Sequence, residues 1–241
     1  MPARKVTPLR ESSESFLDFL DSWYSNLRAV SLKSLLKKFP AEQTAIACVD
    51  VVNGFCKEGN LSSPRVAKII DPIVQLVKNA EQHGINYYLL PQDTHPEHSK
   101  EFEIYPRHCV EGTFESRTVQ ELSDLPNSYK FKVIPKVTIN PALEEQLQDW
   151  LQQNPEVCQF IITGDCTDIC IHQLAMHLKL QSIKKDKDSE IIVPVNCVDT
   201  FDISMEAYHS DGLLPHPGDV FHIFMLYHLH LNGIRIVSAI E

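Results

Sequence analysis

Strand-like and helical segments alternate from Thr44 onward, which predicts an α/β fold: a three-layer α/β/α sandwich around a mostly parallel central sheet, preceded by an N-terminal helical extension. Two observations carry this prediction. The strand-like runs, such as residues 45–51, 158–163 and 190–195, are apolar throughout rather than alternating, as strands are when both faces of their sheet are covered. The segments between them carry apolar residues at helical spacing, which supplies the covering layers. A third observation ties fold to function. Polar and reactive side chains recur where the apolar runs end, and parallel sheets gather their sites at the carboxyl ends of strands.

Taken in order, Ser12-Ser13-Glu14-Ser15 offers helix caps, and Phe16, Phe19, Leu20, Trp23, Leu27, Val30, Leu32 and Leu35 follow at roughly helical spacing. One or two amphipathic helices over 13–38 result, so residues 1–40 read as an extension and 41–241 as the main domain. The extension is expected to pack on the body or on a second subunit. A first strand over 45–51 precedes a helix over 63–83, whose Val66, Ile69, Ile70, Ile73, Val74, Leu76 and Val77 form a wide apolar face and which Gly84 stops. Strands over 86–91, 132–135, 158–163, 190–195 and 235–240 then alternate with helices over 141–153, 168–181 and 218–232. The apolar runs continue to the end of the sequence without a low-complexity linker, so one large domain is expected.

Composition narrows the function. A net charge of −10 argues against nucleic acid, whose phosphates call for clustered Lys and Arg. The one basic cluster, Lys184-Lys185-Asp186-Lys187, is broken by an acid and reads as surface. No apolar run approaches the roughly 18 residues of a membrane span, and the two basic residues near Met1 have no apolar core behind them, so neither a membrane anchor nor a secretory signal is expected. Seven cysteines, an odd number, fit reduced thiols in the cytoplasm better than a disulfide framework.

The richest stretch is Thr163-Gly164-Asp165-Cys166-Thr167-Asp168-Ile169-Cys170-Ile171, where an apolar strand turns into a helix. Cys170 falls near the helix N-terminus, where free amides and the dipole favour a thiolate. Cys48, Cys158 and Cys197 sit inside apolar strand-like runs and read instead as small core hydrophobes. Asp50 closes the first strand, Asp93 and His95 follow the second, and Lys136 ends the third. Singly, Asp50 suits a cap and Lys136 a solvated loop. Together with Cys170 they form a nucleophilic set in which a carboxylate takes the thiol proton, an ammonium holds the charges and sulfur attacks a carbonyl.

Here the sequence resembles the isochorismatase-like cysteine hydrolases, and within them the nicotinamidase/pyrazinamidase branch. The resemblance rests on Val49-Asp50-Val51-Val52-Asn53-Gly54-Phe55-Cys56, Gln92-Asp93-Thr94-His95-Pro96, Tyr105-Pro106-Arg107-His108-Cys109-Val110-Glu111-Gly112-Thr113, Pro135-Lys136, and Gly164 to Cys170. It implies a catalytic triad of Cys170, Asp50 and Lys136, with a cis peptide at Asp165-Cys166 and an oxyanion hole made by the backbone amides of Cys166 and Cys170. Asp93, His95 and His108 supply one carboxylate and two imidazoles, a ligand set for one divalent metal ion, zinc foremost and otherwise iron or manganese. His98 is a further ligand candidate. Phe55 and Tyr105 fall where relatives flank their substrate with aromatic rings, and core packing is the other role open to both. The implied reaction is deamidation of nicotinamide to nicotinate and ammonia through a cysteine thioester, in NAD salvage, by a homo-oligomer. The segment Val137-Thr138-Ile139-Asn140-Pro141-Ala142 departs from the branch and leaves open another small amide, a carbamoyl compound or an enol ether. A catalytically idle binding module and a Cys166/Cys170 redox pair also stay open. His216, His222, His228 and His230 read as helix-surface or packing residues.

Overall fold

A computed structural model describes residues 7–211 and 214–241. Its centre is a six-stranded, wholly parallel sheet in the order β3-β2-β1-β4-β5-β6, with β1 at Thr44–Val49, β2 at Tyr87–Asp93, β3 at Phe131–Lys136, β4 at Gln159–Gly164, β5 at Glu190–Pro194 and β6 at Arg235–Val237. The longer helices are α1 (Glu14–Ser25), α2 (Ile70–Gln82), α3 (Glu145–Gln153), α4 (Cys170–Lys184) and α5 (Gly218–Leu231). Among the described residues no helix is long and apolar enough to cross a membrane.

Every residue of β1 and of β4 is buried, which explains why neither strand alternates in sequence. Successive side chains of a strand point to opposite faces, and the two cores divide accordingly. Ile46, Cys48, Tyr88, Leu90, Ile161 and Ile192 face α2, where Ile73, Leu76, Val77 and Ala80 meet them. Ala45, Ala47, Val49, Phe160, Ile162 and Val193 face the other layer, formed by Trp150 of α3, Leu174 and Leu178 of α4, and Leu226 and Leu229 of α5.

The helix expected over 63–83 is divided. A single turn at Pro64–Ala67 gives way at Lys68 and Ile69 before α2 begins. Pro72 has no amide to donate and is tolerated only in a first turn, so the helix restarts just ahead of it. The segment before β1 is tied into the body: Leu32 and Leu35 enter the core on the α2 face, Trp23, Tyr24 and Leu27 pack against the other core, and Leu32 N donates to Glu241 O. A short helix at Met205–Asp211 precedes α5 in a segment that the periodicity leaves unassigned.

Chain order runs outward from β1 to β2 and β3 on one side, then returns beside β1 as β4 and continues to β5 and β6. The switch point therefore lies between β1 and β4, where a parallel sheet opens a crevice at its carboxyl end. Gly164 closes that junction. Its φ is 113°, and a Cβ there would lie 1.8 Å from Val49 O, so only glycine lets β4 end this close to β1.

Candidate active site

Asp50 follows β1 in a left-handed backbone conformation (φ 54°), which costs a non-glycine residue free energy. Neighbouring backbone holds it there. Asp50 N donates to Pro91 O at 2.9 Å, and Asp50 Oδ1 accepts from Asp93 N at 2.8 Å. The other oxygen, Oδ2, lies 2.9 Å from Lys136 Nζ in a buried ion pair.

Lys136, the last residue of β3, is fully buried, and a buried ammonium must be compensated. It donates to Asp93 Oδ1 at 2.5 Å, to Thr138 O at 3.3 Å and to Cys170 Sγ at 3.5 Å. Burial works against its proton, but Asp50 and Asp93 raise its pKa well above the ordinary lysine value. Burial pushes Asp50 up to about 6 against the pull of Lys136. Asp93 moves the other way: burial opposes its charge, yet Lys136 and the imidazoles of His108 and His95 hold it far below the usual carboxylate range.

Cys170 is the first residue of α4, near the helix N-terminus where the sequence pattern places it, and it is buried. Burial pushes the thiol well above its ordinary value, Lys136 opposes, and Asp50 and Asp93 add to the rise. The thiol thus lies beside Asp50 and Lys136, a carboxylate that can take its proton and an ammonium that can balance the charge. The Asp165–Cys166 peptide is cis, and the Cys166 amide meets no acceptor among the described residues.

Asp93, His95 and His108 are buried together, with one ligand atom of each within 4.8 Å of the others. His95 Nε2 and His108 Nε2 each stand 3.4 Å from an Asp93 oxygen. His108 Nδ1 donates to Pro106 O at 2.7 Å, since a carbonyl only accepts, which leaves Nε2 turned toward Asp93. His95 Nε2 is a buried nitrogen with no hydrogen-bond partner. Two imidazole nitrogens and a carboxylate, convergent and without other protein partners for the nitrogens, fit a divalent ion. His98 is exposed on the turn after Pro96 and stands outside the cluster.

These groups open onto one largely apolar cleft, lined in part by Phe55, Tyr105, Ile139, Ile169 and Phe201. Phe55 and Tyr105 both face it, with ring centroids 5.5 and 6.5 Å from that of His108. Three residues join the site that the sequence pattern leaves without a role. Glu101 lines the cleft half-buried, its pKa raised by burial and then by Asp93, with His95 opposing. Phe102 packs edge-on against both imidazoles, at 5.4 and 5.7 Å. Phe201 stacks on His216 (3.9 Å), which stacks on Phe221 (4.3 Å). Glu101 and Phe102 lie between the two halves of the imidazole motif, the one signal that could have pointed to them; Phe201 had none.

Two of the C-terminal histidines are more than surface or packing. His216 bonds Asp168 Oδ2 through Nε2 at 2.8 Å and donates from Nδ1 to Phe201 O at 2.9 Å. His222, on α5, bonds Thr167 Oγ1 through Nδ1 at 2.8 Å. Cys158 also departs from its expected core role: it is half-buried, and its thiol donates to Glu156 O at 3.0 Å.

The isochorismatase domain model matches residues 44–216 of this chain. The chain belongs to the isochorismatase family of hydrolases. A pyrazinamidase/nicotinamidase from Streptococcus mutans superimposes with a TM-score of 0.66 at 20% identity, over 80% of this chain and 99% of the other. A pyrazinamidase of Pyrococcus horikoshii in complex with zinc gives 0.62 at 23% identity, over 81% and 99%. N-carbamoylsarcosine amidase from Thermoplasma acidophilum gives 0.60 at 19%, over 81% and 95%. At these identities the likeness is one of fold. Comparison with curated protein sequences gives no match.

Proposed function

We propose that this isochorismatase-family chain is a metal-dependent amidohydrolase that converts nicotinamide to nicotinate and ammonia through a thioester on Cys170. The observation that carries the reading is that Lys136 Nζ contacts Asp50, Asp93 and Cys170 at once, joining a nucleophilic set to the Asp93, His95 and His108 cluster in one aromatic-walled cleft.

In this reading Asp50 Oδ2 accepts the Cys170 proton as sulfur attacks the carboxamide carbon, and Lys136 keeps both carboxylates and the forming thiolate balanced. The amides of Cys166 and Cys170 receive the oxyanion. Asp50 returns the proton to the nitrogen, which leaves as ammonia. It then takes a proton from the water that attacks the thioester, and nicotinate departs as the thiol reforms. Phe55 and Tyr105, joined by Phe201, hold a flat ring by stacking. Asp93, His95 and His108 would hold the metal, zinc foremost, which supplies a Lewis acid to anchor the pyridine nitrogen. Seven free cysteines fit a reducing compartment, and we assign the enzyme to cytoplasmic NAD salvage, acting as a homo-oligomer.

One observation favours a second reading. Ile139, from the segment that departs from the nicotinamidase branch, lines the cleft and changes its wall. Another small amide or a carbamoyl compound would use the same nucleophile in a differently shaped pocket, as one solved neighbour is a carbamoylsarcosine amidase.

Ammonia release from nicotinamide decides between them, measured with and without chelation beside a Cys170→Ala control. Release that needs both Cys170 and a divalent ion supports nicotinamide as substrate. No release from folded, metal-loaded protein removes it and directs the assay to carbamoyl compounds.

A further inference from the structure

The turn from Asp165 to Ile169 carries Cys166 and leads into Cys170, so its rigidity fixes where both amides point. Part of what holds it is local: Asp165 N donates to Val49 O (3.1 Å), Ile169 N to Cys166 O (3.0 Å) and Thr167 N to Asp199 O (3.0 Å). The Thr167 side chain, fully buried, is held from elsewhere. His222 Nδ1 lies 2.8 Å from Thr167 Oγ1, and the opposite ring nitrogen, Nε2, lies 3.3 Å from Tyr24 Oη, with the two rings edge to face at 5.9 Å.

Tyr24 is on α1 and His222 on α5, and both lie outside the residues that the family model matches, 44–216. Two segments outside the matched body thus meet at one residue of the turn. The chemistry suits a bridge. A neutral imidazole donates from one nitrogen and accepts at the other, and can span two hydroxyls. Burial lowers the pKa of His222, keeping it neutral. Its nearest carboxylate, Asp199, is engaged elsewhere: Oδ1 accepts from Arg65 Nη2 at 2.8 Å and from Arg65 Nε at 3.2 Å, and stays 4.0 Å from His222 Nδ1. Arg65 is itself shared with Asp219, so the neighbouring charges pair with one another and leave the imidazole to the hydroxyls.

We propose that Tyr24 and His222 are positioning residues that hold the Cys166–Cys170 turn through Thr167, which makes the N-terminal extension part of the support of the active site. The effect on turnover rests on the amidohydrolase reading above; the effect on the turn does not.

The test uses full-length, metal-loaded protein with Tyr24→Phe, Thr167→Val and the double variant, each single change removing one hydroxyl at one end of the bridge. Hydrogen exchange of peptides spanning residues 165–171 should quicken in Tyr24→Phe while peptides of β1 and α2 keep wild-type rates. Unchanged exchange at the turn overturns the proposal, whatever the substrate proves to be. With nicotinamide, kcat should fall about three- to tenfold in each single variant, the range of one neutral hydrogen bond, with KM unchanged. The double variant should be no slower than the worse single variant, since both act through His222. Alkylation of Cys170 by iodoacetamide, which needs no oxyanion hole, should keep its rate. A fall in alkylation equal to that in kcat, or additive losses in the double variant, overturns positioning. If the wild-type protein releases no ammonia, the nicotinamide reading fails and the exchange data alone decide this one.

Discussion

The two sides of the cleft are built from different materials. At and beyond the ends of β1, β2 and β3 the site is made of charge: Asp50, Asp93, Lys136 and two imidazoles packed with almost no exposed surface. At the end of β4 it is made largely of backbone, a turn whose neighbours are hydroxyls, the His222 imidazole and stacked rings, with one ion pair, Asp168 to His216. The difference teaches where each side fails. A buried charge cluster stands or falls together, because removing one member strands the others, whereas a hydrogen-bonded turn loosens by degrees.

The largest effect should therefore come from the first side. Lys136→Met roughly keeps the length of the side chain but leaves Asp50 buried without a cation and takes from Asp93 its ammonium, and should lower unfolding stability by about 3–5 kcal/mol. Adding Asp50→Asn should recover part of that loss while activity stays absent, as denaturant titration and ammonia release would show. Equal stability of Lys136→Met and the wild type would mean that the cluster is not the coupled unit described here. Next in size is the seam between the sides. Gly164→Ala forces a Cβ onto Val49 O at a positive φ and should cost about 3 kcal/mol or more, whereas Gly112→Ala, with φ 77° and nothing within 4 Å, should cost about 1 kcal/mol.

Metal binding sharpens the comparison without reference to substrate. The wild-type chain should hold one divalent ion, and His95→Ala or His108→Ala should weaken it by more than the 10–100-fold or so that loss of an outer partner costs, as measured by metal analysis after dialysis. Thr167→Val, on the other side, should leave metal content at the wild-type level.

How much of this was legible in the sequence follows the same division. Most of the charged side was, because Asp50, Asp93, His95 and Lys136 stand at or just after strand ends and strands are found from their apolar runs, while His108, in the loop beyond β2, came only from the family resemblance; the structure brings these residues and Cys170 together. The support of the turn was not. His222 lies on a helix that is apolar all round, and its partners Thr167 and Tyr24 are 55 and 198 residues away, so no local period marks them. Burial was also out of reach: helix position alone favours a thiolate at Cys170, while the low-dielectric surroundings that oppose it come only with the packed structure.

The smallest predicted effect lies on the turn's side and is read through pH. Burial alone would lower the pKa of His216, but its bond to Asp168 raises it, and Asp168, opposed by burial, is lowered in return by His216. The raised histidine contributes stability that is complete below its unfolded value of about 6.5 and is lost as pH climbs through the folded value. The lowered aspartate contributes above its unfolded value of about 3.9 and fails as pH drops through the folded one. The clasp is thus strongest between those limits and weakens toward alkaline pH. His216→Gln should remove that alkaline weakening: for a pair worth about 1 kcal/mol, the variant melts about 2–4 °C below wild type at mildly acid pH and converges with it as pH rises. Because His216 stacks on Phe201, the same variant should raise KM more than it lowers kcat, the reverse of the split expected for Tyr24→Phe. A constant gap in melting temperature across pH would show that the ring stack, and not the ion pair, holds the Phe201 wall.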